Sequence, residues 1–456
     1  MGVPRSASVS VDLVRVLELL RTHITAALCR TVFATTRITE RQREWTLEAL
    51  VQFWLAVILR AARALSQALY ETLEGSEPLF PHVQATPEAF FQRCRDLRPA
   101  FFAAVFARFT ARLLRATPPR YAAELGPVQA RFAALCVVDG SRLAAIAHRL
   151  KLLWAERAVV LPGCLLAVYD MSRGLCRTLD FCADTAAGEL TRARAALTTL
   201  PRDTLVLGDR LYCTGVWFAA LAVQGCWGVV RRNRRLGLHQ RRHLSTGRVQ
   251  GGQLDDWLVA AGGSRGTPVP LRLIRWRRGR TVRAVLTNVL DPARLPAADA
   301  LALYPRRWTV ERLFFDLKEV LNLNRVYAGN PNAVAMQVYA AGCVYNAMRV
   351  AQGEVATTAG LAPEAIAPAK FFPKLAAACH AHALFELWFR DTKRANPGRR
   401  LRKPPLAERR FARVPLDAVL VEPRTARRKK RRFCAARKRW KSLTHVRGGK
   451  KLLKLS

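Results

Sequence analysis

The sequence predicts an α/β fold, preceded by an all-α N-terminal domain and followed by further helices and a basic tail. Three observations carry that expectation. Apolar residues recur at helical spacing through the first 130 positions. Two short apolar runs, Ala134 to Val138 and Thr204 to Gly208, then each end in an aspartate, as buried strands at a sheet edge do. Between and after these runs, strand-like and helix-like segments alternate until about residue 231.

Taken in order, Val11, Leu13, Val14, Val16, Leu17 and Leu20 share a helical period, as do Leu47, Leu50, Val51, Trp54 and Ile58. Thr86 to Asp96 and Arg98 to Thr117 continue it, and Pro118-Pro119 stops it. This region, 1–130, reads as a helical bundle, or, as a functional reading, as a helical DNA-binding domain with Arg41, Arg43, Arg108 and Arg112 as its basic candidates. The core is assigned to 131–231 and 271–350. It opens with the Asp139 strand, continues with Cys164 to Asp170 and Arg177 to Phe181, and has a helix at Glu189 to Leu197. It then holds the Asp209 strand, a helix at 215–224 and a strand from Trp227 to Arg231. Residues 232–270, rich in Arg, Gly and Gln, read as an insertion of loops and short strands. Leu271 to Trp276 and Thr281 to Thr287 alternate like a hairpin, and helices return over about 298–350 and again within 351–395. The stretch 396–456 carries five prolines and is expected to stay extended until it meets a partner.

Charge narrows the class of partner. The 456 residues hold 75 Lys and Arg against 33 Asp and Glu, a net of +42, yet 51% of them are hydrophobic, so the chain has material for a large core. Residues 391–456 carry 24 of the basic residues against four acids (Asp391, Glu408, Asp417, Glu422), leaving +22 for the rest. A surplus of this size on a folding chain points to a polyanion, and each phosphate neutralised by Lys or Arg releases a counterion.

Other classes are excluded. No apolar run reaches the roughly 18 residues that span a bilayer, and Arg60 closes the longest candidate, Phe53 to Leu59. Asp12 and Arg15 interrupt the N-terminal apolar stretch, which denies it a signal-peptide core. Met1-Gly2 with Ser6 matches a myristoylation pattern but stands without a lipid-binding context. Eleven cysteines lack any C-x-x-C pair, which suits reduced thiols in a cytosol. Cys379, His380 and His382 on one short apolar helix are read as structural rather than as a zinc site. The run Arg427 to Arg432 is read as phosphate-binding.

Three carboxylates stand out. Asp139 and Asp209 close strands of one α/β unit, where an unpaired charge is expensive and usually finds a cation. Two such groups with a third from a helix make a hard oxygen site for Mg²⁺ or Mn²⁺. Glu311 lies in Tyr304-Pro305-Arg306-Arg307-Trp308-Thr309-Val310-Glu311, with Lys318 seven residues on. If this helix is continuous, Tyr304, Arg307 and Lys318 all fall within about 40° of Glu311. One face then offers a carboxylate among phosphate-binding cations, although a solvated face of ordinary ion pairs has the same spacing. Asp170 ends a strand without a motif and is expected to serve a turn. Asp316 lies off the Glu311 face. Arg231 and Arg232, just past a strand, are further candidates for DNA contact.

The spacing Tyr-x2-Arg-x3-Glu-x6-Lys resembles the C-terminal signature of DDE transposases of insertion sequence family 4. Val137-Val138-Asp139-Gly140-Ser141 is similar to that family's first aspartate block, and Leu207-Gly208-Asp209-Arg210-Leu211-Tyr212-Cys213 to its second, with Leu211 where Gly is frequent. Ala284 to Asn288 resembles the strand before the glutamate block. The resemblance covers about 133–350 and implies an RNase H-like catalytic core carrying a β-rich insertion between the second Asp and the Glu. It implies Asp139, Asp209 and Glu311 as catalytic ligands of two Mg²⁺ ions, with Mn²⁺ able to substitute. Tyr304, Arg307 and Lys318 are implied as phosphate contacts. The expected enzyme is a bacterial, cytoplasmic, nucleoid-associated DNA transposase that cuts transposon ends and joins their 3′-OH to target DNA. Its partners would be double-stranded DNA and further copies of itself, as a homodimer or higher multimer, with no membrane involved. Two rivals stay open at this point. One is a metal-dependent nuclease of the same fold without strand transfer, and the other a catalytically retired basic nucleic-acid-binding protein.

Overall fold

The structure, a computed structural model, describes residues 13–36, 44–143, 163–184, 187–262, 268–398, 400, 402–404 and 414–422. The myristoylation pattern, Arg41, Arg43 and the run Arg427 to Arg432 lie outside these residues.

The described residues from 15 to 116 form α1 (Arg15–His23), α2 (Ala26–Thr36), α3 (Leu47–Arg60), α4 (Leu65–Glu74), α5 (Pro87–Asp96) and α6 (Pro99–Ala116). Local chemistry sets several of these ends. Thr46 and Thr86 accept hydrogen bonds from Ala49 and Ala89 N–H at 3.1 and 3.3 Å, capping α3 and α5. Pro87 and Pro99 occupy first turns, where a missing N–H costs nothing. Arg108 is exposed, whereas Arg112 donates to the His23 carbonyl at 2.8 Å and so serves the fold.

After the short α7 (Gly126–Gln129) come β1 (Ala134–Arg142), β2 (Cys164–Asp170), β3 (Leu175–Cys182), α8 (Glu189–Leu197), β4 (Thr204–Gly208), α9 (Gly215–Val223) and β5 (Trp227–Arg231). The segment expected as loops and short strands instead forms the 12-residue β6 (Leu238–Val249) and the 10-residue β7 (Gly252–Ala261). Gln250 and Gly251, both at positive φ, close that hairpin. β8 (Val269–Arg278) and β9 (Thr281–Thr287) follow. Among the described residues all nine strands join one sheet in the order β3-β2-β1-β4-β5-β9-β8-β7-β6. β1, β4 and β5 run parallel, and the remaining neighbours pair antiparallel. The inserted strands therefore extend an existing sheet rather than break it.

Helices cover both faces, which is why β1, β2 and β4 read as unbroken apolar runs. Ala134, Cys136, Val138, Val206 and Val230 pack with Ala193 and Leu197 of α8 and with Trp217, Phe218 and Leu221 of α9. On the other face lie α11 (Thr309–Phe315) and α12 (Pro331–Thr358), preceded by α10 (Ala297–Leu303) and followed by α13 (Pro368–Ala395). α12 is buried along nearly its whole length and also packs against α1, α3 and α6. The N-terminal helices and the sheet thus share one apolar interior.

Buried polar groups tie these parts together. Arg272 is fully buried, pairs with Asp256, and donates to the carbonyls of Val289 and Leu295 at 3.2 and 2.9 Å. It thereby fixes the inserted strands to the loop that leads into α10. Asp170 serves the turn expected of it. Its Oδ1 accepts from Ser172 and Arg173 N–H, and its Oδ2 from Arg177 at 2.8 Å.

Asp316 lies 2% exposed, and its Oδ2 has no hydrogen-bond partner. Burial pushes its carboxyl up to about 6, against the opposing pull of Arg349 and Arg312. The native chain then holds a proton that the unfolded chain releases between about pH 4 and 6, so stability falls as pH rises through that window. Asp316→Asn is expected to stabilise the protein by about 3 kcal/mol at pH 8 and by only about 1 kcal/mol at pH 4.5. Thermal unfolding at the two pH values checks this, and an equal effect at both would contradict it.

Candidate active site

The parallel register of β1, β4 and β5 builds the site. Val137 pairs with Leu207, and Leu207 with Val229. Two residues further along each strand, Asp139, Asp209 and Arg231 therefore stand level, on the same side of the pleat. Their odd-numbered neighbours face away from α8 and α9, toward the side that α11 covers.

The helical segment brings the remaining groups. It is not one regular α-helix, contrary to the condition under which a shared face was expected. α10 passes at Tyr304 into a 3-10 turn, Tyr304–Trp308, then into α11, then into a π-helical turn, Asp316–Val320. Pro305 explains the first change, because it cannot donate the helical bond and the chain tightens around it. In a 3-10 turn residues three apart eclipse, which stacks Tyr304 over Arg307. From Arg307 the chain advances four residues to Glu311.

Arg307 holds the centre. One of its nitrogens donates to Asp139 Oδ2 at 3.1 Å and the other to Glu311 Oε1 at 3.3 Å. Its guanidinium also lies 4.7 Å from the ring of Trp308, which is 60% exposed. The surrounding charges of Asp139, Tyr304, Glu311 and Asp209 hold its proton more tightly, despite burial. Lys318 sits further out along β1 and donates to Ser141 Oγ at 2.7 Å and to the Arg142 carbonyl at 2.6 Å. Burial lowers its pKa, with Glu319 opposing. Tyr304 is raised by burial, with Arg307 and Arg231 acting against it, which places Arg231 within this group.

Asp209 accepts the Leu211 N–H at 2.6 Å, which turns the chain sharply after β4. Asp139 accepts the Gly140 N–H at 3.0 Å. Its carboxyl is pushed up to about 6, chiefly by burial; Arg307 lowers it, and Glu189 and Asp209 raise it. Asp139, Asp209, Glu311, Tyr304, Arg307, Lys318 and Arg231 are thus assembled at one end of the sheet. Arg232 is not among them. Strand alternation turns it to the opposite face, beside Arg241, Arg234 and Arg275. Sequence reasoning missed Glu189 and Tyr212, joined at 2.7 Å. No spacing rule links a helix start to a turn 23 residues on, so no sequence signal pointed to the pair.

Among the described residues no group of three or more His, Cys, Asp or Glu side chains forms a ready metal cage. Arg307 fills the space between Asp139 and Glu311. The donor set still fits a hard divalent cation: it is all carboxylate oxygen, and Asp139 is crowded by the negative charge of Asp209 and Glu189. Cys379, His380 and His382 take separate partners. Cys379 Sγ faces the Leu13 carbonyl, His380 lies 3.0 Å from Glu77, and His382 lies 3.5 Å from Glu386. None of the ten described cysteines forms a disulfide. No described helix is long and apolar enough to cross a membrane.

Comparison with known proteins adds two findings. Residues 164–347 match the family described as Transposase DDE domain. That span contains Asp209, Glu311 and the Tyr304, Arg307 and Lys318 set, but not Asp139. The place of Asp139 rests on its register with Asp209 and its bond to Arg307. The chain is also 33% identical over 207 residues to "Putative transposase y4zB" of Sinorhizobium fredii. That alignment covers 43% of this chain and 56% of that protein, so the chain spans just over half of the relative's length.

Arg307 is the group that most lowers the Asp139 carboxyl. Arg307→Gln is therefore expected to move the Asp139 titration upward from about 6, as followed by carboxyl ¹³C NMR. A downward move would contradict the bridge.

Proposed function

We propose that this chain is a DDE transposase of the insertion sequence family 4 type, which cuts DNA at the ends of a mobile element and joins the freed 3′-OH to a target. The observation that carries the reading is the convergence of Asp139, Asp209 and Glu311 around Arg307. Three carboxylates drawn to one end of a sheet, ringed by Arg231, Tyr304 and Lys318, suit phosphodiester chemistry. The match of 164–347 to transposase DDE domains supports it. A mixed sheet with the two aspartate strands adjacent and parallel supports an RNase H-like layout for the core.

In this reading Asp139, Asp209 and Glu311 hold two Mg²⁺ ions, with Mn²⁺ as a substitute. When bound, the ions supply Lewis-acid activation of the attacking oxygen and stabilisation of the leaving one. The chain's own residues do the rest. Arg307, now bonded to Asp139 and Glu311, would be free with that site filled to present its fork to the scissile phosphate, where two parallel hydrogen bonds would fix orientation. Lys318, seated on Ser141, places a point charge further along the backbone of the bound strand. Tyr304, eclipsed with Arg307, offers its hydroxyl to the same phosphate, and Arg231 lies beside it. A multimer on paired ends, acting at the nucleoid, completes the proposal. Arg232, with Arg234 and Arg241, offers phosphate contacts on the opposite face of the sheet.

Asp139→Ala, Asp209→Ala and Glu311→Ala are each expected to leave DNA binding within about twofold while reducing Mg²⁺-dependent nicking at element ends by more than about 10³-fold. Gel shift and nicking assays on DNA carrying the sequences on either side of the gene read both quantities. Full nicking in any one variant would sink the triad. Strand transfer of a pre-cut end into plasmid separates a transposase from a nuclease, since a pure hydrolase gives no joined product. Neutralising arginines of the 396–456 tail is expected to reduce the slope of log affinity against log salt by about 0.9 for each phosphate no longer neutralised. The nicking rate of bound DNA should stay the same.

A further inference from the structure

We propose that Glu189 and Tyr212 form a clamp that sets the spacing of the two aspartates, and that Glu189 is a positioning residue rather than a fourth ligand. The inference rests on the functional reading above and concerns the opposite face of the sheet.

Alternation along β1 and β4 turns Asp139 and Asp209 toward α11, and so turns the adjoining Gly140 and Gly208 toward α8 and α9. The space that side chains would fill on those two glycines is taken by two residues from elsewhere. A Cβ on Gly140 would collide with Glu189 Oε2. A Cβ on Gly208 would come within 3.0 Å of the Tyr212 ring. The two occupants are bonded to each other, the Tyr212 hydroxyl donating to Glu189 Oε1 at 2.7 Å.

Each is anchored. Tyr212 is fully buried, ends the turn that begins at Asp209, and has Trp217 at 4.9 Å between ring centroids. Glu189 opens α8, where the helix N-terminus favours a carboxylate. A chain of contacts therefore runs from Gly140 through Glu189 and Tyr212 to Gly208. It bridges the ends of β1 and β4 beyond their last paired residues, Val137 and Leu207. It ties the two strand ends together on the face opposite Arg307, which joins Asp139 to Glu311. The glycines follow from the same geometry, since any side chain at 140 would displace Glu189.

Two readouts on full-length protein test the clamp. The first needs no metal: hydrogen exchange at the Gly140 and Leu211 amides, which donate to Asp139 and Asp209 respectively. The second is Mn²⁺ binding followed by EPR. Tyr212→Phe and Glu189→Ala are each expected to raise exchange at both amides and to weaken Mn²⁺ binding about tenfold, the cost of one hydrogen bond. Glu189→Gln keeps an acceptor for the Tyr212 hydroxyl and should restore both readouts. The double variant Glu189→Ala/Tyr212→Phe should be no worse than either single change, because the two act through one bond. Unchanged exchange at both amides in Tyr212→Phe overturns the clamp. So does a Glu189→Gln variant as impaired as Glu189→Ala beside an unaffected Tyr212→Phe, which would make Glu189 a direct ligand. If Asp139→Asn leaves Mn²⁺ binding intact, the functional reading fails instead, while the exchange result still decides the clamp.

Discussion

The parallel pairing of β1 with β4 is the constraint on which the remaining architecture depends. The Val137 to Leu207 register leaves two aspartates at neighbouring strand ends. Like charges so placed repel, and burial of the strand ends in an apolar sheet makes the repulsion worse. The Asp139 carboxyl is elevated chiefly by burial, with Glu189 and, less, Asp209 adding to it. Arg307 offsets it by joining Asp139 to Glu311, and it can do so only because Pro305 tightens the preceding turn and the following helix returns Glu311 to the same side. Covering α11 and α12 on one face, and α8 and α9 on the other, keep the strands buried and their register fixed.

Much of this was legible in the chain. The strands at Cys164–Asp170 and Trp227–Arg231, and the helix at Glu189–Leu197, begin and end where apolar runs and turn residues place them. Asp139, Asp209 and Glu311 were visible through their context, and geometry brought all three together with Tyr304, Arg307, Lys318 and Arg231. What stayed hidden depends on three-dimensional contact. Arg231 and Arg232 look equivalent as neighbours in a sequence, yet alternation separates them by the thickness of a sheet. A 3-10 turn and a π turn within 17 residues (304–320) cannot be read from apolar spacing, because both keep a helix-like pattern. The length of β6 and β7 was concealed by their Arg and Gly content, which resembles loop composition.

The basic surplus divides more finely than a count can show. Some arginines belong to the interior. Arg272 holds Asp256 and the carbonyls ahead of α10, while Arg349 donates to the Gly174 carbonyl and the Tyr169 hydroxyl. Others, Arg307 and Lys318 above all, occupy the carboxylate site, where they bond to the protein itself. The share of +42 free to meet a polyanion is accordingly smaller than the total, and in the proposed reading the carboxylate cluster rather than the charge itself sets this chain apart from a general nucleic-acid binder.

The most direct test is anomalous diffraction from crystals of the protein bound to an element end and soaked with Mn²⁺. The expected result is a Mn²⁺ peak in contact with the carboxylates of both Asp139 and Asp209, with the Arg307 fork moved from Asp139 onto a DNA phosphate. A Mn²⁺ peak bound elsewhere, with Arg307 still bridging Asp139 and Glu311, would contradict the assignment of these carboxylates as the metal site.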